Sequence, residues 1–342
     1  MSGSVAGRFL HLWLFDKGEA VEDMEMRPLE ERDLAAVTAI INATEAPWQT
    51  TEAEARQEDA DLVAAGGVVI HWVAARDGAV AGHGVLRGRE SADRRQEYTL
   101  ELRVHPDRPR QGVGASLWKQ LEGDLETLLP TIVRVWVRER YPEALQFAER
   151  RGFTEVSRSG IWTLDVAAAD VELLRSALER AAVSGVTISS LAAERERNPE
   201  CLSDLHALRM AVDADIPSVE PYPVVSYTDF EREADGALPG GFLVARRGDE
   251  YVGLTCLHRN AGNLQEFHQS ITGVRSDCRH LGIATALKAR GILFARSEGY
   301  ERIVTYVDST NAPMAALNKK LGFVGGNDAV LMERLYNTRR AL

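Results

Sequence analysis

Thr272-Gly-Val-Arg-Ser-Asp-Cys-Arg-His-Leu-Gly-Ile-Ala-Thr-Ala-Leu287 is the stretch whose reading decides the fold. It reads as a strand end, a tight loop holding Gly282, and the first turns of a helix. Leu102-Arg-Val-His-Pro-Asp-Arg-Pro-Arg-Gln-Gly-Val-Gly-Ala-Ser-Leu117 has the same form. Gly112 and Gly282 are 170 residues apart (282 − 112 = 170), and so are Val104 and Val274, and Gly152 and Gly322. Three landmarks at one offset describe one domain written twice. A glycine loop feeding a helix offers unpaired backbone N–H groups at the positive end of the helix dipole, a site for diphosphate.

Working outward, each copy predicts the order β-α-α-β-β-β-α-β-α-β, an α/β fold with a mixed sheet. In the first copy Asp77-Gly78 marks a hairpin. Val113, Leu117, Leu121 and Leu125 give helical spacing after the loop, and Gly152 caps a later short helix. In the second, Gly248-Asp249 marks the hairpin and Asn311 caps the last helix with Pro313 in its first turn. Phe153–Val166 and Phe323–Leu335 are expected to close the sheets of their own copies. The resulting boundaries are an extension over 1–23, a first domain over 24–168, a linker helix over 169–185 and a second domain over 186–342.

Composition narrows the function. The net charge of −11 argues against general nucleic-acid binding and suits a small cationic substrate. Cys201, Cys256 and Cys278 are the three cysteines, an odd number without metal-ligand spacing, so neither a disulfide framework, a zinc site nor any other metal is expected. No apolar run approaches the ~20 residues of a membrane helix, and the expected setting is cytoplasmic, with no membrane partner. A Walker loop would need Gly-Lys-Ser/Thr, and a dinucleotide fingerprint a third glycine where Leu117 stands.

Arg279-His-Leu-Gly-Ile-Ala284, with Gly112, Gly114, the Val104-His-Pro106 strand end, Arg151-Gly-Phe153 and Leu321-Gly-Phe323, resembles the GNAT superfamily of N-acetyltransferases. The second copy matches its Arg/Gln-x-x-Gly-x-Gly/Ala motif throughout, whereas Pro109 replaces the Arg or Gln in the first. The resemblance covers about 25–166 and 186–340. It implies two tandem GNAT domains, each a splayed mixed sheet flanked by helices, and acetyl-CoA as cosubstrate. The implied cofactor contacts are Val274, Arg279, His280, Leu281, Gly282, Ile283, Ala284, Thr285 and Asn311, with Val104, Gln111, Gly112, Val113, Gly114 and Ala115 in the first copy. A small-molecule primary amine would attack the thioester directly.

Such an amine must lose a proton. Glu101, Glu266 and His268, on the strands before the loops, are the candidate bases, although a charged residue on an alternating strand is more often on a solvated face. In the family resembled, a tyrosine of the last helix protonates the leaving thiolate. Ala148 and Asn318 stand at those positions, leaving Asn318, Thr272 or water for that step. Asn311-x-x-Met314-x-x-x-Asn318 resembles tandem acetyltransferases of the mycothiol synthase type, which implies an active second copy and a degenerate first. Asp213, Asp215, Glu220, Tyr222 and Asp229 make an acidic region for a cationic acceptor. A non-catalytic acyl-CoA-binding or scaffold protein of the same fold remains the rival reading, and either a monomer or a homodimer is compatible.

Overall fold

The computed structural model describes residues 11–12, 24–44, 50–90, 96–217, 225–260, 263–326 and 328–336. The chain forms two compact units. The N-terminal unit is built from Arg8–Arg158 and Asp328–Leu342, and the C-terminal unit from Ser159–Asn327. These units are not the two copies as cut from the sequence.

In the N-terminal unit, β1 (His11–Leu12), β2 (Glu25–Pro28), α1 (Leu34–Thr44), α2 (Glu52–Ala64), β3 (Val68–Arg76), β4 (Ala79–Glu90), β5 (Gln96–Val104), α3 (Val113–Leu128), β6 (Ile132–Arg138), α4 (Pro142–Glu149) and the start of β7 (Thr154–Asp165) follow in order. Thr51 caps α2, its hydroxyl accepting from Glu54 N while Glu54 reaches back. The pairings β2–β3–β4–β5 are antiparallel and β5–β6 parallel.

The C-terminal unit holds the rest of β7, α5 (Val171–Val183), β8 (Val186–Ser190), α6 (Leu191–Arg197), α7 (Cys201–Ala214), α8 (Tyr227–Gly236), β9 (Phe242–Arg247), β10 (Glu250–Asn260), β11 (Asn263–Val274), α9 (Ile283–Ser297), β12 (Arg302–Asp308), α10 (Ala312–Lys320) and β13 (Val324–Gly325). Only β14 (Ala329–Leu335) returns to the N-terminal unit. The short helix α6, capped by Ser190, was not expected; its seven residues are too few to show a helical apolar period.

The closing strands differ from expectation. Ser159–Asp165 of β7 pairs antiparallel with β12, and β14 pairs antiparallel with β6 from Ala329↔Arg138 to Leu335↔Ile132. Each copy thus ends in the other unit's sheet. Val330 and Met332 sit in the N-terminal core beside Val133 and Val135, while Trp162 and Leu164 pack with Phe267 and Ile303. Strand pairing requires a free ladder edge and a matching apolar face, and neither depends on which copy the strand comes from.

The two faces of the C-terminal sheet are distinct. Leu254, Cys256 and Ile271 pack with α7 and α8 through Leu205, Leu208, Val212 and Phe230. On the other side, Val252 and Val274 pack with Ile283 and Leu287, and Leu257 with Ile292, all from α9.

Candidate active site

Gly112 and Gly282 are both left-handed, with φ 75° and 77°, and each caps the helix that follows. Two residues earlier, Arg110 (φ 58°) and His280 (φ 65°) are also left-handed. Alternation of this kind turns successive N–H groups toward one concavity, a nest for an anion. A Cβ built on Gly282 meets no atom within 4 Å, so open space adjoins these amides. The loops of both copies share this geometry, and Pro109 does not alter it.

Beyond the loops the copies diverge. Parallel pairing of β11 with β12 covers Glu266↔Arg302 to His268↔Val304, and the strands then part. β5 and β6 pair only over Glu97↔Ile132 to Thr99↔Arg134. In the N-terminal unit the backbone of His11–Leu12 pairs with both parted strands, at Leu102 on one side and Trp136 and Val137 on the other. The extension over 1–23 is expected to lie outside the first domain, yet these two residues pair within its sheet.

β11 also carries a bulge. Leu257 faces Gln269 and Cys256 faces Ile271, so Ser270 is the extra residue. β5 pairs with β4 without interruption from Val104 to Gln96. The bulge turns Ser270 and Ile271 toward α7 and α8, and returns Thr272 to the α9 face beside Gln269. Thr255 Oγ1 accordingly meets both, at 2.8 Å from Thr272 Oγ1 and 3.0 Å from Gln269 Nε2. Bulges commonly re-aim side chains next to active sites.

On the α7–α8 face the bulge brings Ser270 to a buried polar network. His258 Nε2 lies 3.1 Å from Ser270 Oγ and 3.3 Å from Glu233 Oε1. Arg209 donates to Glu233 at 2.9 Å and to Asp213 at 2.7 Å. Burial pushes the Glu233 carboxyl up, but the His258 hydrogen bond and the Arg209 charge outweigh it and hold the group below its ordinary value. Glu233 is therefore a carboxylate that orients an imidazole. Neither His258 nor Glu233 stands out in the sequence, because only the β10–β11 register and the bulge bring them to Ser270.

Glu266 accepts from Asn260 at 2.6 Å near the β10–β11 turn, in the paired part of β11. His268 is buried, and desolvation lowers its pKa to about 3, so it is neutral. In the N-terminal unit, Arg87 and Arg103 engage the two oxygens of Glu101, and against its burial their charges hold the carboxyl below its ordinary value, which makes it a weaker base. Asn318 is fully buried, and neither amide atom has a hydrogen-bond partner among the described residues. Asn311 caps α10, accepting from Met314 N at 3.3 Å. Arg279 turns to Asp215 at 2.7 Å, on the surface. Asp229 is hydrogen-bonded to Ser226 and Arg232 at the start of α8. Glu220 and Tyr222 lie outside the described residues.

Glu233, Cys256 and His258 have ligand-type atoms within 4.8 Å of one another. Arg209 already neutralises that carboxylate and burial pushes the Cys256 thiol well up, a donor set poorly suited to a cation.

The sequence matches the acetyltransferase (GNAT) family model twice, over 34–153 and 206–323. The chain belongs to the GNAT acetyltransferase family. It is 26% identical over 339 residues to a mycothiol acetyltransferase of Parafrankia sp., covering 87% of this chain and 94% of that protein. It is 25% identical over 250 residues to that of Saccharomonospora viridis, covering 71% and 76%. A GCN5-related N-acetyltransferase from Sphaerobacter thermophilus superimposes with a TM-score of 0.64 at 18% identity, covering 92% and 96%. A tandem GNAT protein from the clavulanic acid biosynthesis pathway gives 0.65 at 18%, covering 91% and 98%. These likenesses support two GNAT domains of mixed sheet and flanking helices. Among the described residues no helix is long and apolar enough to cross a membrane.

Proposed function

We propose that the second copy moves an acetyl group from acetyl-CoA to a primary amine of a small molecule. The backbone amides of Leu281 to Thr285 hold the pyrophosphate at the N-terminus of α9. The free edge of β11 from Ser270 to Val274 receives the acyl arm through main-chain hydrogen bonds, and an amide there polarises the thioester carbonyl. His258, oriented by Glu233, takes the proton from the attacking amine.

The observation that carries this reading is the bulge at Ser270, which joins the open strand edge to a carboxylate-backed histidine and is absent from the first copy. That copy has the loop, but the backbone of His11–Leu12 lies between its parted strands and both oxygens of Glu101 are bound to arginines. A structural role for it follows. The net negative charge suits a cationic acceptor in a cytoplasmic setting. The relatives' names point to an acceptor related to mycothiol.

The test is release of CoA thiol from acetyl-CoA across a panel of amines that includes amino sugars and cysteinyl conjugates. Turnover with at least one amine, abolished by H258A, is expected. Tight acetyl-CoA binding with no turnover across the panel would refute catalysis and favour a non-catalytic acyl-CoA-binding protein.

A further inference from the structure

Lys288 lies on α9, one and a half turns past the loop, with only 1% of its surface exposed. Its amine donates to Gln269 Oε1 and lies 5.0 Å from the centre of the Phe323 ring. Among the described residues no carboxylate comes within ion-pair distance of it. Gln269 is the first residue of β11 beyond the last pair with β12, and Thr305 Oγ1 donates to its carbonyl at 3.0 Å. The amine is therefore anchored where the two strands begin to part, on the α9 face. From there Gln269, Thr255 and Thr272 form a hydrogen-bonded chain across β10 and β11. Asn318, with both amide atoms unpartnered, lies at the end of α10, and its carbonyl accepts from Phe323 N.

The first copy shows that the fold does not need these polar groups. Pairing register and the 170-residue offset place Leu100 where Gln269 stands, Gly84 for Thr255, Leu102 for Thr272, Trp118 for Lys288 and Ala148 for Asn318. Leu100, Leu102, Trp118 and Ala148 belong to a continuous apolar core, in which Trp118 meets Phe147 and Phe153 edge-on. Burying a lysine without a counter-ion and an amide without partners opposes folding. The second copy does both, and the lysine is anchored where the strands open.

We propose that Lys288 and Asn318 receive the departing thiolate of the acyl donor, Lys288 supplying its proton and Asn318 a hydrogen bond. This rests on the reading that the second copy binds acyl-CoA. As the amine nitrogen bonds to the carbonyl carbon, the carbon–sulfur bond breaks and its electron pair goes to sulfur. Sulfur takes a proton from the Lys288 ammonium. The acceptor's surplus proton leaves through His258, and Lys288 is reprotonated from water once the thiol departs. Burial alone brings the Lys288 pKa down to about 7, so its ammonium is a stronger acid than a thiol of pKa near ~8.5. From the elements around it, Gln269 and Phe323 face the amine, and both are uncharged.

The test needs no acceptor. Binding of CoA and of desulfo-CoA is measured by calorimetry at pH 8, and the thiol of bound CoA is titrated by its thiolate absorbance, with the desulfo complex as blank. In the wild type the bound thiol is expected to ionise at least about one unit below its free value, with CoA bound about tenfold more tightly than desulfo-CoA. In K288M both differences vanish while desulfo-CoA affinity is kept, which a merely structural lysine would not produce. N318A, carrying the first copy's residue, moves the titration in the same direction by less, and it serves as the test if K288M does not fold. An unshifted thiol in the wild type, or the same shift in the wild type and the variant, overturns the inference. If neither ligand binds to the wild type, the acyl-CoA reading falls and takes the inference with it.

Discussion

Replacing Gly282 by alanine separates ligand recognition from stability. The backbone at Gly282 has φ 77° and ψ 7°, and a methyl group there meets no protein atom within 4 Å. No overpacking arises, so the folding cost is the left-handed strain of an L-residue, about 1–2 kcal/mol. Loss of glycine's freedom in the unfolded chain returns about 0.4–1 kcal/mol. The net destabilisation of about 0.5–1.5 kcal/mol lowers the melting temperature by only a few degrees in a unit of this size. Gly112 has the same conformation, φ 75° and ψ −2°, but is buried, so G112A should lose at least as much. The affinities should part company. In G282A the methyl enters the space beside the pyrophosphate amides, and CoA affinity measured by calorimetry should fall at least about tenfold, 1.4 kcal/mol or more. In G112A it should be unchanged. Equal affinity losses in the two variants would refute a second-copy site, and an unaltered G282A would refute the loop as the diphosphate cradle.

H258A and E233Q should each lower kcat for the accepted amine by roughly 10²–10⁴-fold with little change in CoA affinity, and steady-state kinetics beside calorimetry checks both. Glu233 is held below its ordinary value, so its contribution to stability is present above that value and lost as pH falls through the lowered pKa; E233Q should flatten the acid side of the thermal-stability profile. Lys288 works in the opposite sense: with a folded pKa of about 7 against an ordinary 10.5, it costs stability below about 7, and that cost disappears as pH rises toward 10.5. K288M should therefore melt higher at pH 6, by roughly 1–4 kcal/mol of stability, and match the wild type near pH 10.5. A chain ending at Asn327 loses the buried Val330 and Met332 and the ladder along β6, roughly 3–6 kcal/mol of apolar burial alone. Hydrogen exchange should find Ile132–Arg138 deprotected, and full protection there would refute the assignment of β14 to that sheet.

Local chemistry determined a good deal of this protein. The 170-residue offset, the two glycine loops, the Asn311 cap and the left-handed turn at Gly152 all follow from neighbouring residues, and each stands in the structure as the sequence implies. Tertiary structure decided what depends on pairing between distant segments. The exchange of β7 and β14 between sheets cannot be read from either strand, since both carry apolar faces that suit either edge. Strand alternation alone puts Gln269 and Ile271 on one face, but the extra residue at Ser270 breaks that phase and sets Gln269 beside Thr272. It likewise carries Ser270 to His258 and Glu233, two residues that in sequence are only a strand end and a position in a charged helix. Lys288 passes in the sequence as one more cation on a surface helix. It becomes a buried amine at the opening of the sheet only because α9 lies across β10 and β11 with that face inward. A loop's conformation is set by the residues within it, whereas the register of a ladder and the burial of a charge are set by partners far along the chain.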